Sequence, residues 1–173
     1  MDKQTARRLG LAARKNIPCD VRDEKNRIIT DILVHKIEGA HCVGCYVTLN
    51  DEADTIPLIR HCLVSGIRVA VPKVTGSTLT FYEIRSFADL KEGSFHVREP
   101  LTDTVVQPEE TDVMIVPLSA FDEAHHRTGY GRGYYDSILQ RCRRKIGVAF
   151  AEQKVDRIET DPWDVDLDEV VCA

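Results

Sequence analysis

The chain has 173 residues, with 23 Lys and Arg against 28 Asp and Glu and a formal net charge of -5. At that length a single domain over 1–173 buries roughly two thirds of its unfolded surface, so size alone demands neither disulfides nor a structural metal. A 43% hydrophobic and 29% charged composition excludes a disordered tail or a fibre; the acidic balance argues against nucleic acid or an anionic membrane as partner, and no apolar run reaches the roughly 18 residues of a membrane span.

The chain starts MDKQTARR, without the apolar segment of a secretory signal, which predicts a cytoplasmic protein. Residues 2–16 read as a first helix, with Ala6, Leu9 and Ala13 spaced to face a core. Lys3, Arg7 and Arg14 are spaced by four and then seven residues, which stacks three cations on one helical side. They serve either one common anion or solubility.

A second helix is marked from Asp20 to Glu38 by Val21, Ile28, Ile29, Ile32, Leu33 and Ile37, and after Gly39 a strand runs from Cys42 to Leu49. Thr55–Val64 reads as a helix ending near Gly66, and Ile67–Val71 as a buried strand stopped by Pro72. This is the strand–helix–strand unit of a parallel sheet. A turn at Gly76-Ser77 leads into LTFYEI, Leu79–Ile84, a strand placed antiparallel or at an edge. Residues 86–110 mix a short helix with extended loop, including FHVREP at 95–100, and such segments often line a site.

Val113–Val116 is a clear strand ended by Pro117; a helix from Tyr134 to Arg144, a strand at Ile146–Phe150 and a last short strand near Val170-Val171 complete the chain. The basic run Arg141, Arg143, Arg144 and Lys145 reads as a solvated helix end complementing the helix dipole. Alternating strands and helices predict an α/β fold: a three-layer, open, mainly parallel sheet with helices on both faces, Rossmann-like. The cysteines at 19, 42, 45, 62, 142 and 172 read mostly as small core hydrophobes, although Cys42 and Cys45 form a CxxC that redox chemistry or half a zinc site would also use.

The chemistry concentrates in VMIVPLSAFDEAHHRTGYGRGYYDSIL, where Gly129, Gly131 and Gly133 stand between a buried strand and a predicted helix. Alternate glycines let the backbone turn tightly and present bare N–H groups to an anion. Arg127 and Asp136 bracket the loop and Arg132 lies inside it, which supplies cations for phosphoryl oxygens and a carboxylate for Mg²⁺ or for an arginine. The pattern is neither GxxxxGK[ST] nor a dinucleotide fingerprint after the first strand, which disfavours a P-loop ATPase and an NAD enzyme.

Tyr134 and Tyr135 either anchor the loop or stack on a planar ligand. The adjacent His125 and His126 read as surface loop, since neighbouring side chains do not converge on one metal. Glu52 follows the first strand, where open sheets bind ligands, and there it accepts from an amine-rich heterocycle or starts a helix. Lys73 stands at the matching place on the next strand as a second candidate charge.

The ordered set of Lys3, Arg7 and Arg14, EADT at 52–55, VAVPKV at 69–74, EP at 99–100, DVMIVPLSAFD at 112–122, RTGYGRGYYD at 127–136 and IGVAFAEQ at 146–153 resembles the 5-formyltetrahydrofolate cyclo-ligase family. The resemblance implies ATP- and Mg²⁺-dependent closure of 5-formyltetrahydrofolate to 5,10-methenyltetrahydrofolate, with a folate substrate and a monomer, a homodimer being the alternative. It implies that Lys3, Arg7, Arg14, Arg127 and Arg132 surround the ATP phosphates together with the amides of Gly129, Gly131 and Gly133. Asp136 then helps to hold Mg²⁺, Glu52 anchors the pterin ring, and Tyr135 lines the boundary between folate and phosphate, with Arg127 and Tyr135 catalytic.

The family's usual pattern has a glycine at His96 and after the VP at Leu118, a small residue at His125-His126, leucine at Thr128 and a histidine at Trp163. His96 and Leu118 are therefore expected to add bulk near the folate pocket. Two other readings stand beside this one: an ATP-using relative acting on another formylated or carboxylated small molecule, and a non-catalytic binding domain in which Arg127 and Asp136 form only a structural ion pair.

Overall fold

A computed structural model describes residues 1–93 and 96–173. Residues 94 and 95, within the expected 86–110 segment, lie outside the described residues; 95 opens its FHVREP stretch.

Short apolar runs too brief for helices make the sheet. The strands are β1 Cys42–Cys45, β2 Arg68–Thr75, β3 Thr78–Ile84, β4 Leu90–Glu92, β5 Arg98–Pro100, β6 Val105–Val106, β7 Val113–Pro117, β8 Ala120–Phe121, β9 Arg127–Thr128, β10 Lys145–Ala149 and β11 Glu169–Cys172. The helices are α1 Lys3–Lys15, α2 Cys19–Lys36, α3 Ile56–Val64 and the single turn α4 Asp136–Leu139. Seven strands form one sheet in the order β11-β10-β7-β1-β2-β3-β6, parallel from β11 to β2 and antiparallel over β3 and β6. From β1 the chain moves outward to β2 on one side, and later from β7 to β10 and β11 on the other. Between β1 and β7 lies a switch point, where open α/β sheets leave a crevice at the strand C-termini.

Both faces are covered, by different means. Ile29 and Leu33 of α2, Ile37 at its C-cap, and Leu58 and Ile59 of α3 pack on Val43, Val69, Ile115 and Ile146. The opposite face carries Ala70, Phe81, Met114 and Val116, covered by Leu118, Phe121, Leu139 and Leu167, which belong to β8, α4 and the connecting segments. Cys45 sits in the first cluster and Cys42 in the second, because residues three apart on a strand point to opposite faces. The CxxC therefore cannot close, and burial raises the thiols of Cys62 and Cys142 to about 11, which keeps them protonated core groups.

Four expectations are corrected. The helix expected over Tyr134–Arg144 is one turn, because Arg144 already belongs to the sheet: its carbonyl accepts from Met114 N at 2.8 Å. The basic run is accordingly no helix end. Arg141 pairs with Glu109, Arg143 with Asp112 at 4.0 Å, Arg144 with Glu169 at 2.7 Å and Lys145 with Asp168 at 3.4 Å.

The strand expected to stop at Pro72 runs on to Thr75, since β1 pairs only with residues 68–70 and one edge of β2 is free where proline lacks its donor. The strand expected to reach Leu49 ends at Cys45, after which Tyr46 Oη donates to the Ala53 carbonyl at 2.6 Å and Thr55 Oγ1 to the Tyr46 carbonyl at 2.7 Å. That fold-back delivers Glu52 to the sheet's end.

Helix α1 starts at an Asp2 cap that accepts from Thr5 N at 2.8 Å, and it lies across the C-terminal side of the sheet on Ser119 and Ala120. The approach requires Gly10, where an added Cβ would stand 2.1 Å from the Ser119 carbonyl oxygen. Gly10→Ala is expected to push α1 off this seat and to destabilise the fold by about 1–3 kcal/mol, read as a lower Tm by calorimetry. An unchanged Tm would show that α1 is not seated here.

Candidate active site

A cleft of about 740 Å³ opens at the C-terminal ends of β1, β2 and β7, within the size range of small-ligand sites. Its two ends differ in chemistry. Tyr46, Val47, Leu49, Pro72 and Leu79 make an apolar wall beside Glu52, whereas Lys3, Arg7, Arg127 and Arg132 gather at the glycine-rich loop. Val97 and, from β5, Arg98 and Glu99 close a further side.

At the cationic end Arg7 Nε donates to the Gly129 carbonyl at 2.6 Å, and its guanidinium lies against Gly131. Gly131 has φ +90°, where a side chain would be strained, and an added Cβ would meet Arg7 at 3.4 Å. The Arg127 side chain is 5% exposed; its Nη2 donates to Asp136 Oδ1 at 3.1 Å and its guanidinium sits 5.8 Å from the Tyr135 ring centroid. Burial pulls its pKa down and the Asp136 charge opposes this. Arg127 Nε is buried without a partner, so the cleft wall carries a cationic donor whose hydrogen bond is unmade. Arg127 lines the cleft, where its guanidinium is a charged donor for an anionic oxygen.

Of Lys3, Arg7 and Arg14 on α1, the first two line the cleft and the third does not. Lys3 reaches Asp161 at 2.7 Å and Asp164 at 2.5 Å, and Arg7 holds the loop. Arg14 lies three turns from Lys3, roughly 16 Å along the axis. It turns away to Asp51 at 2.8 Å and to the Tyr130 hydroxyl at 3.1 Å.

At the apolar end Glu52 accepts from Tyr130 Oη at 2.8 Å and from Leu49 N at 3.4 Å. Burial, the dominant cause, raises its pKa, while Tyr130 and Arg14 oppose the rise. Tyr135 is edge-on to Phe81 with ring centroids 6.4 Å apart, and burial holds its phenol well above its ordinary pKa, hence neutral. Asp136 lines the cleft at the loop's end, and among the described residues no group of three His, Cys, Asp or Glu converges as a metal cage.

Other expected positions fall elsewhere. Leu118 is buried in the core, where its Cδ2 lies 2.9 Å from the place of a Gly147 Cβ, and His96 is exposed and bonded to Glu92; neither lines the cleft. The expected added bulk is thus not in the pocket. Lys73 lines a separate small cleft with Lys91 and Glu99, because its neighbours Pro72 and Val74 take the pocket face of β2. His126 is not a surface residue: it is wedged by Asp122 at 2.9 Å and Asp166 at 3.6 Å.

Sequence reasoning missed Tyr130, Asp51, Asp161 and Asp164. A tyrosine placed between two loop glycines was the available signal for Tyr130; the acids pair with α1 cations far away in sequence, Asp161 and Asp164 with Lys3 and Asp51 with Arg14, which no local pattern reveals.

A mainly parallel sheet whose switch point opens into a cation-lined cleft defines an α/β enzyme that handles phosphate-bearing ligands. The chain belongs to the 5-formyltetrahydrofolate cyclo-ligase family, whose model matches residues 1–173. It is 33% identical over 141 residues to the 5-formyltetrahydrofolate cyclo-ligase of Escherichia coli K12, covering 76% of this chain and 78% of that one. It is 28% identical over 178 residues to that of Mycoplasma pneumoniae, covering 99% and 98%. Among solved structures, the Aquifex aeolicus 5,10-methenyltetrahydrofolate synthetase is similar with a TM-score of 0.81 at 31% identity, over 98% of this chain and 89% of that one. The Mycoplasma pneumoniae synthetase structure shares the fold with a TM-score of 0.81 at 24% identity, over 99% and 98%.

Proposed function

We propose that the chain is a 5-formyltetrahydrofolate cyclo-ligase that couples ATP cleavage to ring closure of 5-formyltetrahydrofolate, giving 5,10-methenyltetrahydrofolate, ADP and phosphate. The observation that carries the reading is the two-ended cleft: a buried arginine with an unmade hydrogen bond at one end and a desolvated carboxylate at the other.

The formamide oxygen is a poor leaving group. Transfer of the γ-phosphoryl to that oxygen, with ADP leaving, converts it into a good one. N10 then bonds to the formyl carbon, the carbon–oxygen bond breaks, phosphate departs and N10 loses its proton. Such chemistry asks the protein for alignment and charge neutralisation and for no covalent nucleophile.

Arg7, Arg127 and Arg132, with the amides of Gly129, Gly131 and Gly133, neutralise and orient the phosphates, and Lys3 adds a charge already shared with Asp161 and Asp164. Arg14 acts from behind, on Tyr130. Glu52 takes the donor edge of the pterin and Tyr135 walls the join of the two ligands. Asp136 is the cleft carboxylate that would hold Mg²⁺, which keeps several waters and needs one or two carboxylates beside the phosphates; bound there it would offset phosphoryl charge. The protein is read as one domain over 1–173, acting as a cytoplasmic monomer.

The test is an absorbance assay for methenyl-folate with purified protein, 5-formyltetrahydrofolate and Mg-ATP. The expected result is a rise that requires ATP and is matched by equal ADP. ADP formed only with another formylated or carboxylated compound would overturn the substrate assignment.

A further inference from the structure

Tyr130 stands at the tip of the glycine-rich loop, half exposed, yet its hydroxyl is engaged on both sides. It accepts from Arg14 Nη1 at 3.1 Å and donates to Glu52 Oε1 at 2.8 Å. A guanidinium only donates and a phenol has one proton, so the direction of the relay from Arg14 through Tyr130 to Glu52 is fixed.

Its origin is rigidly held. Arg14 is 5% exposed and bonded to Asp51 at 2.8 Å, while Arg22 donates to the Arg14 carbonyl at 2.8 Å and to the Asp51 carbonyl at 3.2 Å. The far end is equally specific. Glu52 Oε1 takes Tyr130 and Oε2 takes the Leu49 N–H, and since each carboxylate oxygen has two acceptor positions, one on each remains for a planar pair of donors. An amino-pyrimidinone edge offers such a pair.

We infer that Tyr130 is a positioning residue that holds the folate-anchoring carboxylate from the phosphate-binding loop, so that each ligand's affinity depends on the other's presence. The inference rests on Glu52 as the pterin anchor. A contact that joins the two subsites contributes to both binding equilibria, and linkage makes the coupling reciprocal.

The charged and titratable groups facing Glu52 are Arg14, Asp51, Tyr130, Tyr46 and Tyr135. Of these Tyr130 donates directly to the ionised form. Removing its hydroxyl raises the Glu52 pKa further, so folate affinity should fall away at a higher pH on the acid side.

The experiment is calorimetric titration of the full chain with 5-formyltetrahydrofolate, with and without a magnesium-bound non-hydrolysable ATP analogue, for wild type, Tyr130→Phe and Glu52→Gln across the acid limb. Wild type should show mutual enhancement of roughly tenfold. Tyr130→Phe, whose half-exposed ring keeps its place, should bind folate alone about tenfold more weakly, lose the enhancement and shift the acid limb upward. Wild-type coupling and an unmoved acid limb in Tyr130→Phe, with Glu52→Gln deficient in folate binding, would overturn the role of Tyr130 alone. Normal folate binding by Glu52→Gln would overturn the anchor reading and this inference with it.

Discussion

Replacing Arg127 with alanine is expected to lower kcat/KM for ATP by roughly 10²–10³-fold, the scale on which removal of a preorganised charge donor acts. The folded state should lose far less. Asp136, the partner left behind, is 38% exposed and returns to water, so no buried anion is stranded. The remaining loss is the packing of the guanidinium on Tyr135, a Tm decrease of about 2–6 °C. Arg127→Lys keeps the charge but not the planar fork, and should recover only part of the rate. Parallel losses of rate and of folded fraction in Arg127→Ala would mean that the Asp136 pair is structural and nothing more.

The second large effect is expected at Glu52. Glu52→Gln keeps the shape and can still accept from Tyr130, yet it offers a neutral oxygen and an amide where the pterin needs two acceptors. Folate affinity should fall by about 10² or more, because charge-assisted hydrogen bonds are replaced by one weaker bond and one clash of donors. Stability should move the other way. Burial raises the folded pKa of Glu52 above the ordinary carboxylate value of 4.5. Between the unfolded and the folded pKa the native state binds more protons, so ionisation costs stability as pH rises through that window. At neutral pH the wild type carries this cost and Glu52→Gln does not, so the variant's Tm should equal or exceed the wild type's. The wild-type KM for folate should rise as pH falls toward the Glu52 pKa. A variant that is both less stable and unimpaired in folate binding would remove Glu52 from the site.

These two residues also show what the sequence could and could not disclose. The central strands were legible because VMIVP and KIGVA are apolar on both faces, which only a covered parallel sheet tolerates. Their boundaries were not: whether Pro72 stops a strand depends on whether β1 still lies alongside, a tertiary fact. The helix expected over Tyr134–Arg144 failed for a similar reason, since the competition between a helix and a strand starting at Lys145 is decided by pairing with β7.

Within the site, the glycine spacing and its flanking Arg127 and Asp136 pointed to the phosphate end directly, and Glu52 followed from the rule that ligands sit beyond strand ends. Helical periodicity placed Arg14 with Lys3 and Arg7. It could not show that the helix runs away from the cleft, leaving Arg14 to act on Tyr130 and Asp51. Side chains such as Leu118, adjacent in sequence to a pocket residue, were misplaced because strand alternation turns neighbours to opposite faces.

Amides of the 129–133 turn and the guanidinium groups of Arg7 and Arg127 are expected to receive a triphosphate. A crystal structure with a non-hydrolysable ATP analogue and Mg²⁺ tests it most directly. Phosphate oxygens within hydrogen-bond distance of Arg127 Nε and of the loop amides are the expected result. A nucleotide bound elsewhere, with Arg127 Nε still unpartnered, would contradict it.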